Sequence, residues 1–171
     1  MRGQLFSIDF IVALSLILFL FALSLYVSDS VASAINSNEL NSELRSAAAG
    51  ALSQLLETPG SPSNWQEMEF SETGINSLGI ASGRNVIDVA RVDYFFQIGN
   101  SDPGNYALIK RMLALDLPGS NYSLIVEDAN GILIYDLGPI PQSPFITVSG
   151  QRIALLEGEP VLVNLKLWVE K

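Results

Sequence analysis

The sequence predicts an α+β fold in which a long amino-terminal helix packs on a carboxyl-terminal antiparallel β-sheet, with two short helices beside it. Three observations predict it. Phe10 to Val27 is an apolar run broken only by the hydroxyls of Ser15 and Ser24. Ser28 to Glu57 continues without proline, and its apolar residues recur at intervals of three and four. After Leu117-Pro118-Gly119 the pattern changes to two pairs of β-rich segments joined by short polar turns. The first two patterns have the helical period and the third has the strand period.

The first element, Leu5 to Val27, covers roughly 34 Å at about 1.5 Å per helical residue, enough for a hydrocarbon core of about 30 Å. A helix is the form in which such a run satisfies its own peptide groups inside lipid. Arg2 and the terminal amine precede the run, whereas Asp29, Glu39 and Glu43 follow it. That asymmetry favours a cytoplasmic amino end and an extracellular remainder in a single-pass membrane protein. Ala32-Ser33-Ala34 offers the small-x-small pattern of a secretory cleavage site, but the apolar run exceeds the roughly 7 to 15 residues of a signal-peptide core.

The second element extends the helix outward. Val31, Ile35, Leu40, Leu44, Ala47, Ala48, Ala51, Leu52, Leu55 and Leu56 make an apolar stripe, and Glu39, Asn41, Glu43, Ser46 and Gln54 lie on or near the other face. Asn36-Ser37-Asn38 is its weakest point, because short polar side chains compete for the backbone. Thr58-Pro59-Gly60 ends it, since proline cannot continue a helix. Three regions follow: an amino-terminal signal-like and membrane segment (1–28), an amphipathic extension (29–58) and an extracellular globular domain (59–171).

Within that domain, Trp65, Met68, Phe70, Ile75, Leu78 and Ile80 are irregularly spaced anchors in a stretch rich in Gly and Ser, read as loop and short strand. A short helix is expected within residues 88 to 97, a linker from Gly99 to Gly104, and a second helix from Tyr106 to Leu115. Tyr122 to Glu127 and Ile132 to Leu137 flank Asp128-Ala129-Asn130-Gly131, a hairpin signal. Phe145 to Leu156 and Pro160 to Glu170 flank Glu157-Gly158. In the last strand Val161, Val163, Leu165, Leu167 and Val169 are the buried set, and Leu162, Asn164, Lys166, Trp168 and Glu170 point away.

Composition bounds the chemistry. A net charge of −9 with nine basic residues disfavours nucleic acid, whose phosphates need concentrated Lys and Arg. The chain has no Cys and no His, which removes disulfides, thiolate zinc sites and the commonest general base. No catalytic, cofactor-binding or metal-ligating residue is expected. A carboxylate-only hydrolase built from Asp88, Asp93, Glu127 and Asp136 is the remaining enzymatic alternative.

Asp128-Ala129-Asn130-Gly131 lacks the later ligands of a calcium loop and reads as a turn. Gly79-x-x-x-Gly83 lacks the Lys-Ser or Lys-Thr of a phosphate loop and also reads as a turn. Asn121-Tyr122-Ser123 is an N-glycosylation acceptor after a Pro-Gly turn.

Arg2-Gly3-Gln4, followed by Asp9 and the apolar run, resembles the class III signal peptide of archaeal type IV pilin-like proteins. Leu55-Leu56-Glu57-Thr58-Pro59-Gly60 with Trp65, the stretch Gly79-Ile80-Ala81-Ser82-Gly83, and the closing hairpin from Arg152 to Trp168 are similar to the same family. The resemblance implies that a membrane peptidase, the class III signal peptidase, cuts between Gly3 and Gln4. It also implies that Asp9 is the carboxylate that pairs with a neighbouring subunit's terminal amine, setting register. Ser7 and Asp9 are fourth and sixth in the cut chain, where the family pattern has serine third and the acid fifth. The implied partners are the lipid bilayer before assembly and other pilin-like subunits through the helix Leu5 to Val27 afterwards. The implied function is a major or minor subunit of a surface filament with no enzymatic activity. The alternative is a membrane-anchored extracellular binding or adhesion domain that does not polymerise.

Overall fold

The computed structural model describes the backbone of residues 2–170 and the side chains of residues 10–28 and 38–170. The fold is α+β, as the sequence predicts. It divides into two compact units, Met1–Leu40 and Asn41–Lys171. The first unit is helical throughout its described backbone, as part of α1 (Arg2–Glu57).

The second unit begins with the last part of α1. Leu44, Ala48, Ala51, Leu52, Leu55 and Leu56 are buried, so the stripe from residue 44 onward is the core face of this helix. Gln54, expected on or near the outer face, instead donates through Nε2 to the carbonyls of Leu78 (3.0 Å) and Met112 (3.3 Å). An amide that bonds two backbone carbonyls in this way is satisfied facing inward.

After α1 come β1 (Gly60–Ser61), a 3₁₀ turn at Trp65–Glu67, β2 (Ser77–Leu78), β3 (Ala81–Gly83) and β4 (Val86–Ile87). Trp65 is fully buried, and its indole N–H donates to the carbonyls of Pro59 (3.1 Å) and Gly79 (3.0 Å). Gly79 belongs there for lack of space, because a Cβ would stand 2.1 Å from the Thr58 carbonyl oxygen. Residues 81–83, part of the stretch read as a turn, form a strand.

Helix α2 (Val89–Ser101) starts at Asp88, whose carboxylate accepts from the Arg91 amide, and α3 (Pro103–Met112) starts at Asp102, whose carboxylate accepts from the Gly104 amide. The two expected helices exist, but the Gly99–Gly104 linker does not. Gly99 is helical and buried where a Cβ would meet Leu137 at 2.7 Å, so this glycine marks a close helix–strand approach. Pro103 occupies the first turn of α3, where its missing N–H costs no intrahelical bond.

Strands β5 (Ser120–Asp128), β6 (Leu133–Leu137), β7 (Pro144–Leu156) and β8 (Glu159–Glu170) complete a six-stranded sheet of order β3-β4-β7-β8-β5-β6. The sheet is mixed, not antiparallel throughout, because β4 runs parallel to β7. The Asn85 carbonyl accepts from the Leu155 amide (2.8 Å), while the Asn85 amide donates to Leu56 (2.8 Å). The β3–β4 turn is thereby tied both to the end of α1 and to β7, beside which β4 runs in the same direction.

Val163, Leu165 and Leu167 of β8 are buried opposite Val126, Leu124 and Tyr122 of β5, and Val161 is buried opposite Asp128, forming the sheet's core face. Two positions depart from simple alternation. Trp168 is buried although it belongs to the opposite set, and Val169 is only half-buried. Asn121 and Glu170, which flank Trp168, line a groove with Pro139 and Ile140, so the loop after β6 comes to this end of the second face. The rest of that face is sorted by rows, with Ser123 buried, its β8 residues half-buried and its β7 residues exposed. Ser149, Lys166 and Ser123 share one row, Gln151, Asn164 and Ile125 the next, and Ile153, Leu162, Glu127 and Leu133 the last.

Candidate functional site

The most distinctive feature of the chain is the apolar segment itself. Phe10–Ser28 is helical, has a mean hydropathy of 2.7, and none of it is buried within the fold. It is long and apolar enough to cross a membrane. A core helix of a water-soluble domain would have found protein to cover it, whereas here large side chains all round the helix, from Phe10 to Val27, remain exposed. The hydroxyl of Ser15 donates to the Ile11 carbonyl (2.8 Å), which satisfies it within the helix and makes it tolerable in lipid. Tyr26, near the carboxyl-terminal end of the segment, has the amphipathic ring favoured at a membrane–water boundary.

Gly3, Gln4 and Asp9 are in helical backbone, and their side chains lie outside the described residues. Ala32-Ser33-Ala34 likewise has no described side chains. Asn121 follows the Pro118-Gly119 turn as read, and stands in β5, half-buried and paired with Trp168. Ser123 of the same tripeptide is buried.

The acidic side chains are placed separately. Asp88 caps α2 and forms an ion pair with Arg91 at 3.6 Å. The Asp93 carboxylate accepts a short hydrogen bond from the Tyr135 hydroxyl. Glu127 and Asp136 stand on β5 and β6, opposite Leu133 and Ile125. Among the described residues no group of three or more acidic side chains is arranged to hold a metal ion. The Asp128 loop is a hairpin turn: its carboxylate accepts from the amides of Asn130 (2.8 Å) and Ile132 (2.7 Å), and Gly131 takes a positive φ. Those amides, Ile132 first, hold the Asp128 carboxyl below its ordinary value.

Three tyrosines carry the remaining electrostatics. Burial, then the hydrogen bond to Asp93, pushes Tyr135 up to about 12. Burial raises Tyr106 and Tyr122, whose rings stack at 4.5 Å. The Tyr106 hydroxyl donates to the Tyr122 carbonyl (2.8 Å) and accepts from the Tyr122 amide (3.0 Å). Near this point Gly138 lies so close to the Tyr122 carbonyl that a Cβ would stand 2.4 Å away. The phenol substitutes for the strand partner that β5 lacks beyond Leu137.

Sequence reasoning missed two features of the surface. Ile140, between two prolines in the loop after β6, is 84% exposed, and Ile153 on the open sheet face is 69% exposed. The Pro-Ile-Pro sequence signals the first. The second requires knowing which face of β7 the helices cover. No protein-family model matches the chain, and no match is found among curated proteins.

Proposed function

We propose that this chain is a structural subunit of a type IV pilus-like surface filament of the archaeal kind. It is inserted in the membrane through Leu5 to Val27, cut between Gly3 and Gln4, and then assembled through that helix. The observation that carries the reading is a helix used in two ways. Residues 10–28 present apolar side chains on every side with no cover, whereas the same helix from Leu44 to Leu56 is built into the core of an α+β domain. An uncovered apolar helix fits lipid first and a bundle of like helices afterwards, while the domain stays folded through both stages. The chain's lack of Cys also suits a subunit whose strength comes from assembly instead of disulfides.

The role assigned to Asp9 gives the test. Desolvated among apolar helices, a carboxylate needs a neighbour's amine, so Asp9→Ala removes the charge that sets register and leaves the apolar surface intact. Wild-type, Asp9→Ala and Asp9→Glu chains are compared for membrane insertion and for recovery in sheared surface filaments. All three insert; Asp9→Ala is lost from filaments, and Asp9→Glu is partly retained. Asp9→Ala incorporated at wild-type level contradicts the assembly role, and wild-type protein confined to membranes favours a solitary anchored domain.

A further inference from the structure

Strand β7 is 13 residues long, yet β4 pairs only with Leu155 and Leu156 on its outer side. The turn at Glu157-Gly158, with both residues at positive φ, fixes which groups the rest of that side presents. Leu156 and Glu159 flank this two-residue loop and exchange their hydrogen bonds, so the even-numbered residues of β7 bond β8 and the odd-numbered ones face outward. Leu155 obeys the rule: it stands opposite Pro160, which has no N–H, and its own amide donates outward to Asn85 (2.8 Å). The backbone amides and carbonyls of Thr147, Ser149, Gln151 and Ile153 therefore point to the outer side, and no hydrogen bond from the described residues reaches them there. At about 3.3 Å per residue this stretch runs for roughly 23 Å.

The edge has a built flank. Helix α1 lies so close to Gly150 that a Cβ there would stand 2.8 Å from Leu52. Arg45, Ala48, Ala49 and Leu52 of α1 and residues 148–152 of β7 line a groove of about 230 Å³. Arg45 and Arg152 are exposed on it, no carboxylate lines it, and neither arginine forms an ion pair among the described residues. Arg45 donates one N–H to Asn41 (3.2 Å) and keeps the rest of its guanidinium for a ligand.

We propose that the outer edge of β7, from Thr147 to Ile153, binds an extended acidic segment of a partner protein as an added strand, with Arg45 and Arg152 holding its carboxylates. Two features select this occupant. A row of alternating backbone donors and acceptors is matched by another extended chain. Two arginines without carboxylates, in a chain whose net charge is −9, make this groove a local positive site that attracts acidic side chains. The same charges oppose β7 of a second copy, because edge-to-edge pairing about Gly150 would gather both copies' Arg45 and Arg152 in one place. The interaction requires neither membrane insertion nor assembly, so it stands apart from the filament reading.

The test uses the full-length chain in neutral detergent micelles and the peptide acetyl-Thr-Glu-Val-Glu-Val-Glu-Thr-amide, with amide hydrogen exchange followed by mass spectrometry. One control peptide carries Lys in place of each Glu. A second keeps the acidic side chains but is N-methylated at every peptide bond, which retains charge and removes strand pairing. At about 1 mM acidic peptide, exchange within residues 147–153 is expected to slow by about tenfold, and neither control is expected to slow it. Arg45→Glu combined with Arg152→Glu, both at exposed positions, is expected to abolish the slowing and leave the thermal midpoint unchanged. The control peptides act on the unmodified chain, so the outcome does not depend on how that variant folds. No slowing with the acidic peptide, or equal slowing with either control, overturns the proposal. Slowing at 147–153 that grows with protein concentration in the absence of peptide identifies a second copy as the occupant and overturns it as well.

Discussion

Asp128 holds the β5–β6 hairpin with one exposed carboxylate. Its oxygens accept from the Asn130 and Ile132 amides, bonds that weaken when the group is protonated. Because its folded pKa is lowered from the ordinary 3.8, its contribution is complete above that value and is lost as pH falls through the lower, folded one. Asp128→Ala should therefore lower the thermal midpoint of the folded domain at neutral pH and flatten its decline below about pH 4. Parallel melting of the two proteins across that acid range would show that the carboxylate does not hold the turn. The turn was legible from Asn130-Gly131, because a left-handed position next to β-rich segments is a local requirement. The burial of Trp168 was not legible. Alternation assigns it to the second face, and the local pattern carries no sign that this position, paired with Asn121 and Thr147, is covered.

At the scale of elements, the carboxyl-terminal part of α1 is a member of the domain's core. Leu44, Leu52, Leu55 and Leu56 are each buried almost completely, and at about 1.5 to 3 kcal/mol per side chain they contribute roughly 6 to 12 kcal/mol. That equals the whole stability of a typical domain, about 5 to 15 kcal/mol. A fragment of residues 38–171 is therefore expected to melt cooperatively, and one of residues 58–171 to have no cooperative transition. Equal melting curves would contradict the packing. The stripe was legible because helical spacing survives without knowledge of a partner. The short strands β1 to β4 were not legible, since pieces of two or three residues carry no period and are fixed by neighbours such as Leu56, Asn85 and Leu155. The Gly99–Gly104 stretch misled for a related reason. Glycine and proline signal a break locally, yet here they serve a close helix approach and a helix start.

For the whole molecule, the fold class and the exposed apolar helix were readable from composition and period, while the mixed sheet and the Ile140 and Ile153 surfaces needed the chain's long-range pairing. The account joins a membrane-compatible helix to a stable domain, and its central claim is that the chain leaves the membrane and enters a filament after losing Met1 to Gly3. The direct measurement is the mass of the amino-terminal peptide from protein recovered in sheared surface filaments. The account predicts abundant protein in that fraction with its first residue at Gln4. Protein that begins at Met1 or beyond Ala34, or that stays in the membrane and never reaches a filament, would contradict it.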